Sequence, residues 1–232
     1  MINKKTYNLT KKQLNEEKIK VLSKFASVAS HDLKNVVASL SNVSYYLSKS
    51  LKLENETQQK MLSLLSTGIV DLNKRISEIL DMTRVKQLTK TKCDLQDIIL
   101  KAISESQIDG IVFENNLISA KAYVDFDRMK QVFFNIIKNA TDSMNNNGII
   151  SVTMAASNDN ILTTIVDRGQ GMDEETLENC FDPMFSTKLA KSIGMGLTVA
   201  RQIIEMHDGS IDISSEYQRG TIVDVSVPVL TE

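Results

Sequence analysis

The chain has 232 residues, of which 42% are hydrophobic and 24% charged, with a formal net charge of −2. That is the composition of a globular protein and excludes a disordered chain. No uncharged apolar run approaches the ~20 residues of a membrane-spanning helix, and the polar start MINKKTYNLTKKQLNEEK offers no apolar core for a signal peptide. A cytoplasmic location is therefore expected. Cys93 and Cys180 lie far apart without CxxC spacing, so the sequence suggests neither a zinc site nor a disulfide framework.

The small net charge hides two regimes. Residues 1–92 carry 17 Lys and Arg against 8 Asp and Glu, whereas residues 93–232 carry 10 against 21. Gly68 is the one glycine of the first part, which has no proline; the remainder holds eight glycines, Pro183 and Pro228. The two compositions predict two domains, 1–90 and 91–232, meeting near Lys90–Asp94.

In the first domain the apolar residues Leu22, Ala26, Ala29, Leu33, Val36, Leu40, Val43 and Leu47 recur at alternating steps of four and three. A second series runs Leu62, Leu65, Ile69, Leu72, Ile76, Ile79. Spacing of this kind is the seam of packed helices, and the polar SKSLKLENET between the series can join two antiparallel helices. A lone hairpin leaves such stripes in water, so a homodimeric four-helix bundle is expected, with a stalk docked on the second domain as the alternative. His31 falls off the stripe, followed by Asp32, with Asn35 one turn further on the same side. By itself an exposed helix histidine carries no function.

The second domain opens with a helical DLQDIILKAISES and short strands at Ile111–Glu114 and Ala122–Val124. DFDRMKQVFFNIIKNATDSM then predicts a helix with Met129, Val132, Phe133, Ile136, Ile137, Ala140 and Met144 on one face. Strands follow at IISVTMAA and ILTTIVD, a helix at GLTVARQIIEMH, and two strands at SIDISSE and TIVDVSVPV joined by the turn YQRG. Helices gathered on one face of a mixed sheet make an α+β two-layer sandwich.

Four motifs punctuate this sandwich. Asn135 and Asn139 stand at i and i+4, so both amides project from one helix face, where amide oxygens can ligate magnesium beside phosphate oxygens. Asp167-Arg-Gly169-Gln-Gly171 sets an acid at a strand end before two glycines. A carboxylate there can accept from an adenine amino group while the glycines admit a close ligand. FDPMFSTK, Phe181 to Lys188, is an aromatic and proline turn ending in a cation. Ser192-Ile-Gly194-Met195-Gly196-Leu197-Thr198 runs into a helix whose N-terminal amides can face phosphate. Singly each is weak; in this order they are specific.

With HDLKN at His31–Asn35, these motifs resemble the core of a bacterial two-component sensor histidine kinase. HDLKN is similar to the H box, FFNIIKNA to the N box, DRGQGMD to the G1 box, FDPMF to the F box and SIGMGLTVARQIIEMHDGSI to the G2 box. The resemblance covers roughly residues 15–230. Three positions depart from it: Val36 replaces the usual proline and so predicts a straighter first helix, Ser192 replaces the first G2 glycine, and Asp208-Gly209 replaces Gly-Gly.

The resemblance implies an α-helical hairpin forming a dimeric four-helix bundle, then an α+β sandwich of the GHKL ATPase type. It implies that His31 accepts the γ-phosphoryl group of ATP and passes it to an aspartate of a response regulator receiver domain. Asp32 would hold the imidazole, and Asn35 would orient water for regulator dephosphorylation. ATP would bind at Asp167, Gly169, Gly171, Lys188, Gly194, Met195, Gly196 and Leu197, with Mg2+ at Asn135 and Asn139. Arg201 is a weaker phosphate candidate, read first as a solvated helix residue, and His207 is read as a packing or capping residue. Gyrase-like and chaperone-like ATPases use a glutamate where Asn135 stands, and an amide has no basicity for activating water. A scaffold with a decayed kinase domain should have lost some of Asn135, Asn139, Asp167, Gly169, Gly171, Gly194 or Gly196, and all seven remain. The lysines of the first domain lack aromatic interleaving, so a nucleic-acid surface is not expected; their sign suits an acidic receiver pocket.

Overall fold

The structure is a computed structural model that describes residues 33–49, 56–83, 88–106, 109–157, 159–187 and 194–230. It divides into two compact units, a helical one followed by an α/β one. In the helical unit, α1 (33–49) and α2 (Glu56–Thr83) pair through a cluster of Val37, Ile69 and Ile76. The Ser44 and Ser66 hydroxyls meet at 3.0 Å. Partners on α2 fall in number as those on α1 rise, so the helices run antiparallel. α1 is helical throughout its described length, Val36 included.

The seam differs from expectation in one respect. Val37 and Ser44, each one position past a residue of the expected stripe, face α2. Val36 (57% exposed) and Val43 (55%) lie open with Leu33, Leu40, Leu47, Leu65 and Leu72. One narrow stripe closes the hairpin and a second, more apolar one is left uncovered within a single chain. A 3.5-residue repeat marks both stripes without saying which faces the neighbouring helix.

The second unit contains β1 (Thr91–Asp94), α3 (Leu95–Glu105), β2 (Ile111–Asn116), β3 (Lys121–Val124), α4 (Phe126–Ser143), β4 (Gly148–Ala156) and β5 (Asn160–Asp167). It continues with α5 (Glu174–Asn179), α6 (Gly196–Met206), β6 (Ser210–Glu216) and β7 (Gly220–Pro228). β1 and β3 form a small antiparallel ribbon, and the main sheet has the order β2-β4-β5-β7-β6. β2 and β4 are parallel; the other pairs are antiparallel. Period-two alternation turns Ile150, Val152 and Met154 of β4, Ile161, Thr163 and Ile165 of β5, and Val223, Val225 and Val227 of β7 into the core. There they meet the buried faces of α3, α4 and α6, which include Ile98, Phe133, Ile136, Ile137 and Ile203. The result is the expected two-layer sandwich. β1 and α5 were not expected: β1 is four mostly polar residues, and α5 has no buried residue to set a period.

Aspartate side chains start three of the four helices described in this unit. Asp94, Asp125 and Asp173 accept from the backbone N–H groups of Gln96, Arg128 and Thr176. α6 is the exception, because its N-cap Met195 makes no side-chain capping bond.

The far end of α6 is fixed by His207, which is 3% exposed. Its Nδ1 lies 2.7 Å from the Ile203 carbonyl, and its Nε2 accepts from the Asp125 N–H at 2.9 Å. These two bonds require the neutral ring with hydrogen on Nδ1, and they tie the end of α6 to the start of α4. The packing role expected of His207 is thus a specific one. Burial, reinforced by Lys90, pulls its pKa below 6.5 against the opposing Ile203 bond, Asp125 and Asp208. The unfolded chain therefore binds this proton more readily than the folded one. Stability should be whole above about pH 6.5 and fall as pH drops below that value. Denaturation midpoints measured between pH 7.5 and 5 should show this slope, and His207→Gln should flatten it at a lower overall stability.

Candidate nucleotide site

Asp167 continues the inward series Ile161, Thr163, Ile165 by one more step of two, which delivers a carboxylate to the rim of the core at 6% exposure. Its Oδ1 accepts from the Gly169 N–H at 2.8 Å and lies 2.9 Å from the Ser143 hydroxyl, at the end of α4. Thr221, its partner across the β5–β7 ladder, is buried on the same face. The turn after Asp167 is held from two sides. Gln170 N–H donates to the Ser143 carbonyl at 3.2 Å, Gln218 N–H to the Gln170 carbonyl at 2.6 Å, and Met172 N–H to the Ser215 hydroxyl at 2.9 Å. Gly171 has φ +62°, and a Cβ there would run into the Glu216 carbonyl.

Asn135 is half-buried on α4 and its Nδ2 donates to the Gly196 carbonyl at 3.1 Å, joining the helix to the first turn of α6. With the amide nitrogen so engaged, the oxygen is the atom a cation would use. Asn139, one turn on, is exposed. Met195 is buried and Leu197 half-buried. Gly194 has φ +74° and packs against the backbone of Met184 and Phe185, leaving no room for a side chain. Gly196 differs: a Cβ would meet nothing closer than Asn135 at 3.7 Å.

Thus Asn135, Asn139, Asp167, Gly169, Gly171, Gly194, Met195, Gly196 and Leu197 are all carried by one unit, and hydrogen bonds link α4 to both glycine segments. Asn35 sits exposed on α1, in the other unit, where Ser39 donates to its carbonyl at 2.9 Å. His31, Asp32 and Lys188 lie outside the described residues. Ser143 was missed in the sequence, although its spacing of four from Asn139 and eight from Asn135 places it on their face of α4. Arg201 is not the solvated residue expected. Its guanidinium carbon lies 3.3 Å from the centroid of the Phe181 ring, and burial pulls its pKa below the usual value.

Residues 124–231 match the family described as histidine kinase-, DNA gyrase B-, and HSP90-like ATPase. The sensor histidine kinase ZraS of Klebsiella oxytoca is 30% identical over 96% of this chain and 50% of its own. The crystal structure of full-length ShkA in complex with AMPPNP superposes with a TM-score of 0.76 at 16% identity, covering 90% of this chain and 46% of that one. Histidine kinase ThkA in complex with response regulator protein TrrA gives 0.62 at 23%, covering 99% and 68%. The chain spans about half the length of the curated relatives it matches. Along nearly its whole length the chain is similar to sensor histidine kinases, and residues 124–231 of its second unit carry the matched ATPase domain.

The glycines separate by what surrounds them, and this can be measured. Gly171→Ala should destabilise the fold through its left-handed backbone and the Glu216 carbonyl. Gly196→Ala should leave thermal stability unchanged or slightly raised, since alanine suits a helix start. It should nevertheless weaken ATP binding by about 10-fold, a loss of ~1.4 kcal/mol, because its methyl group enters the space next to Asn135. Calorimetry with and without ATP checks both.

Proposed function

We propose that the chain is the catalytic core of an ATP-dependent protein-histidine kinase in two-component signalling, with residues 1–90 as dimerisation and phosphotransfer domain and 91–232 as ATP-binding domain. The observation that carries this reading is the bond from Asn135 to the Gly196 carbonyl. An amide, unable to act as a base, is attached to the loop where phosphate is expected. Such a site holds ATP for another nucleophile instead of hydrolysing it.

In this reading the adenine amino group donates to Asp167, and Gly169 and Gly171 give the base close access. The uncapped amides at the start of α6, over Gly194, Met195, Gly196 and Leu197, face the phosphates together with Lys188. The residues fit Mg2+ through the amide oxygens of Asn135 and Asn139, where the ion would neutralise charge on the transferring phosphates. His31 attacks the γ-phosphorus of ATP with its unprotonated ring nitrogen, the bond to the β,γ-bridging oxygen breaks and ADP leaves, while Asp32 supports the imidazole as it becomes positive. The phosphoryl group then passes to a receiver-domain aspartate, and Asn35 orients water for the regulator's dephosphorylation. The complex recorded for ThkA and the basic balance of residues 1–92 support a response regulator as partner. The open stripe of Leu33, Val36, Leu40, Val43, Leu47, Leu65 and Leu72 supports a homodimer. Among the described residues no helix is long and apolar enough to cross a membrane.

Given γ-labelled ATP and magnesium, the chain is expected to take up acid-labile, alkali-stable label, the signature of phosphohistidine. His31→Ala should take up none while binding ATP as before; label remaining on that variant would identify another acceptor. Asn35→Ala should spare autophosphorylation and slow dephosphorylation of the phosphorylated regulator, measured as two separate rates. Equal loss of both rates would make Asn35 a structural part of the helix.

A further inference from the structure

Phe181 lies at the start of the aromatic and proline turn, and α6 lies on the far side of residues 188–193 in sequence. Two contacts nevertheless bind them. The Thr198 hydroxyl donates to the Phe181 carbonyl at 3.1 Å, and the Arg201 guanidinium stacks on the Phe181 ring at 3.3 Å. Thr198 and Arg201 are three residues apart, hence neighbours on one face of α6. A half-buried arginine on a ring face is the strong form of this interaction. The carboxylates of Glu205, Asp182 and Asp212 act on Arg201 electrostatically. A guanidinium half-buried against the face of an aromatic ring is badly placed to receive a triphosphate, so the sequence-based candidacy of Arg201 as a phosphate partner finds no support here.

We propose instead that Arg201 is a positioning residue. It clamps Phe181 to α6, and so holds the 181–187 turn in register with the start of α6, where Gly194 packs on the backbone of Met184 and Phe185. The clamp acts on the nucleotide site through that turn, without touching the nucleotide. This inference rests on the ATP-binding reading above and adds a residue whose effect must pass through Phe181.

The test is a double-mutant cycle on the full chain, with ATP and adenosine affinities measured by calorimetry. The variants are Arg201→Lys, Arg201→Gln, Phe181→Leu and Phe181→Tyr. Arg201→Gln should weaken ATP binding by about 3- to 10-fold, with Arg201→Lys falling between it and wild type. In the Phe181→Leu background, Arg201→Gln should cost nothing further, whereas with Phe181→Tyr, which keeps the ring, it should cost as much as in wild type. Adenosine, which lacks the phosphates that the start of α6 faces, should lose little affinity in any of these variants. Losses of ATP affinity undiminished by Phe181→Leu would overturn the clamp and return Arg201 to the phosphates. Thermal destabilisation without any change in affinity would overturn it as well, leaving a merely structural contact. A wild-type chain that binds no ATP would instead overturn the functional reading itself.

Discussion

A carboxyl group taken out of water must be met by donors or it opposes folding, and the placement of Asp167 imposes that condition on everything around it. One donor comes from two residues ahead, which bends the chain so that Gly169 N–H points back at the strand end. Another comes from Ser143 at the last residue of α4. The strand, the glycine turn and the helix are thereby fixed to one atom. The Gln170 and Gln218 backbone bonds then attach the turn to α4 and to the β6–β7 hairpin. A rigid carboxylate with a backbone turn beside it is what selective recognition of a flat heterocycle needs, because a mobile acceptor would forfeit the discrimination its hydrogen bond provides.

α4 extends the same constraint across the unit. Its buried stripe, Met129, Phe133, Ile136, Ile137 and Ala140, is set against the sheet by apolar burial. The adjoining stripe, Asn135, Asn139 and Ser143, is carried along at the same spacing. At its start, Asp125 N–H is held by His207 from the end of α6; at its middle, Asn135 holds Gly196 at the start of α6; at its end, Ser143 reaches Asp167. The hydrophobic core thus aligns the polar row, and two of its members, Asn135 and Ser143, each fix one segment of the candidate site. The pH dependence expected of His207 follows from the same placement: burial disfavours the charged ring, and Nε2 can accept from the Asp125 N–H only while it carries no proton.

How much of this could be read from the chain depends on whether the signal was local. The β-branched run ILTTIVD and the helical face from Met129 to Met144 were plain, the first from its residue types and the second from its burial period. Asp167 was recoverable as the acid that ends the run, whereas its inward direction came only from the burial pattern of the strand. β1 and α5 were hidden because neither buries enough to write a period. In the hairpin, period was present and still insufficient: Val36 and Val37 are adjacent, and which of them meets α2 is a matter of a rotation that one helix's pattern does not encode. Ser143 and Arg201 were missed because their partners, Asp167 and Phe181, are 24 and 20 positions away, and no short-range rule pairs them.

Resemblance to a motif treats its glycines alike, while the packing around each one does not. Gly169 leaves room for the Ser143 side chain, Gly171 for the Glu216 carbonyl, and Gly194 for the backbone of Phe185. All three are places where protein approaches protein. The reason at Gly194 lies in the turn it covers. Phe185 N–H donates to the Asp182 carbonyl, Pro183 presets the backbone at the second position, and Met184 follows in a left-handed conformation with its side chain 53% exposed. A non-glycine residue is uncommon in that conformation and is kept there only by what surrounds it. Gly194 packing on one side and the Phe181 clamp on the other supply that restraint. Gly196 differs from these three: a Cβ there would meet nothing closer than the Asn135 side chain at 3.7 Å, so no protein atom requires a glycine at that position.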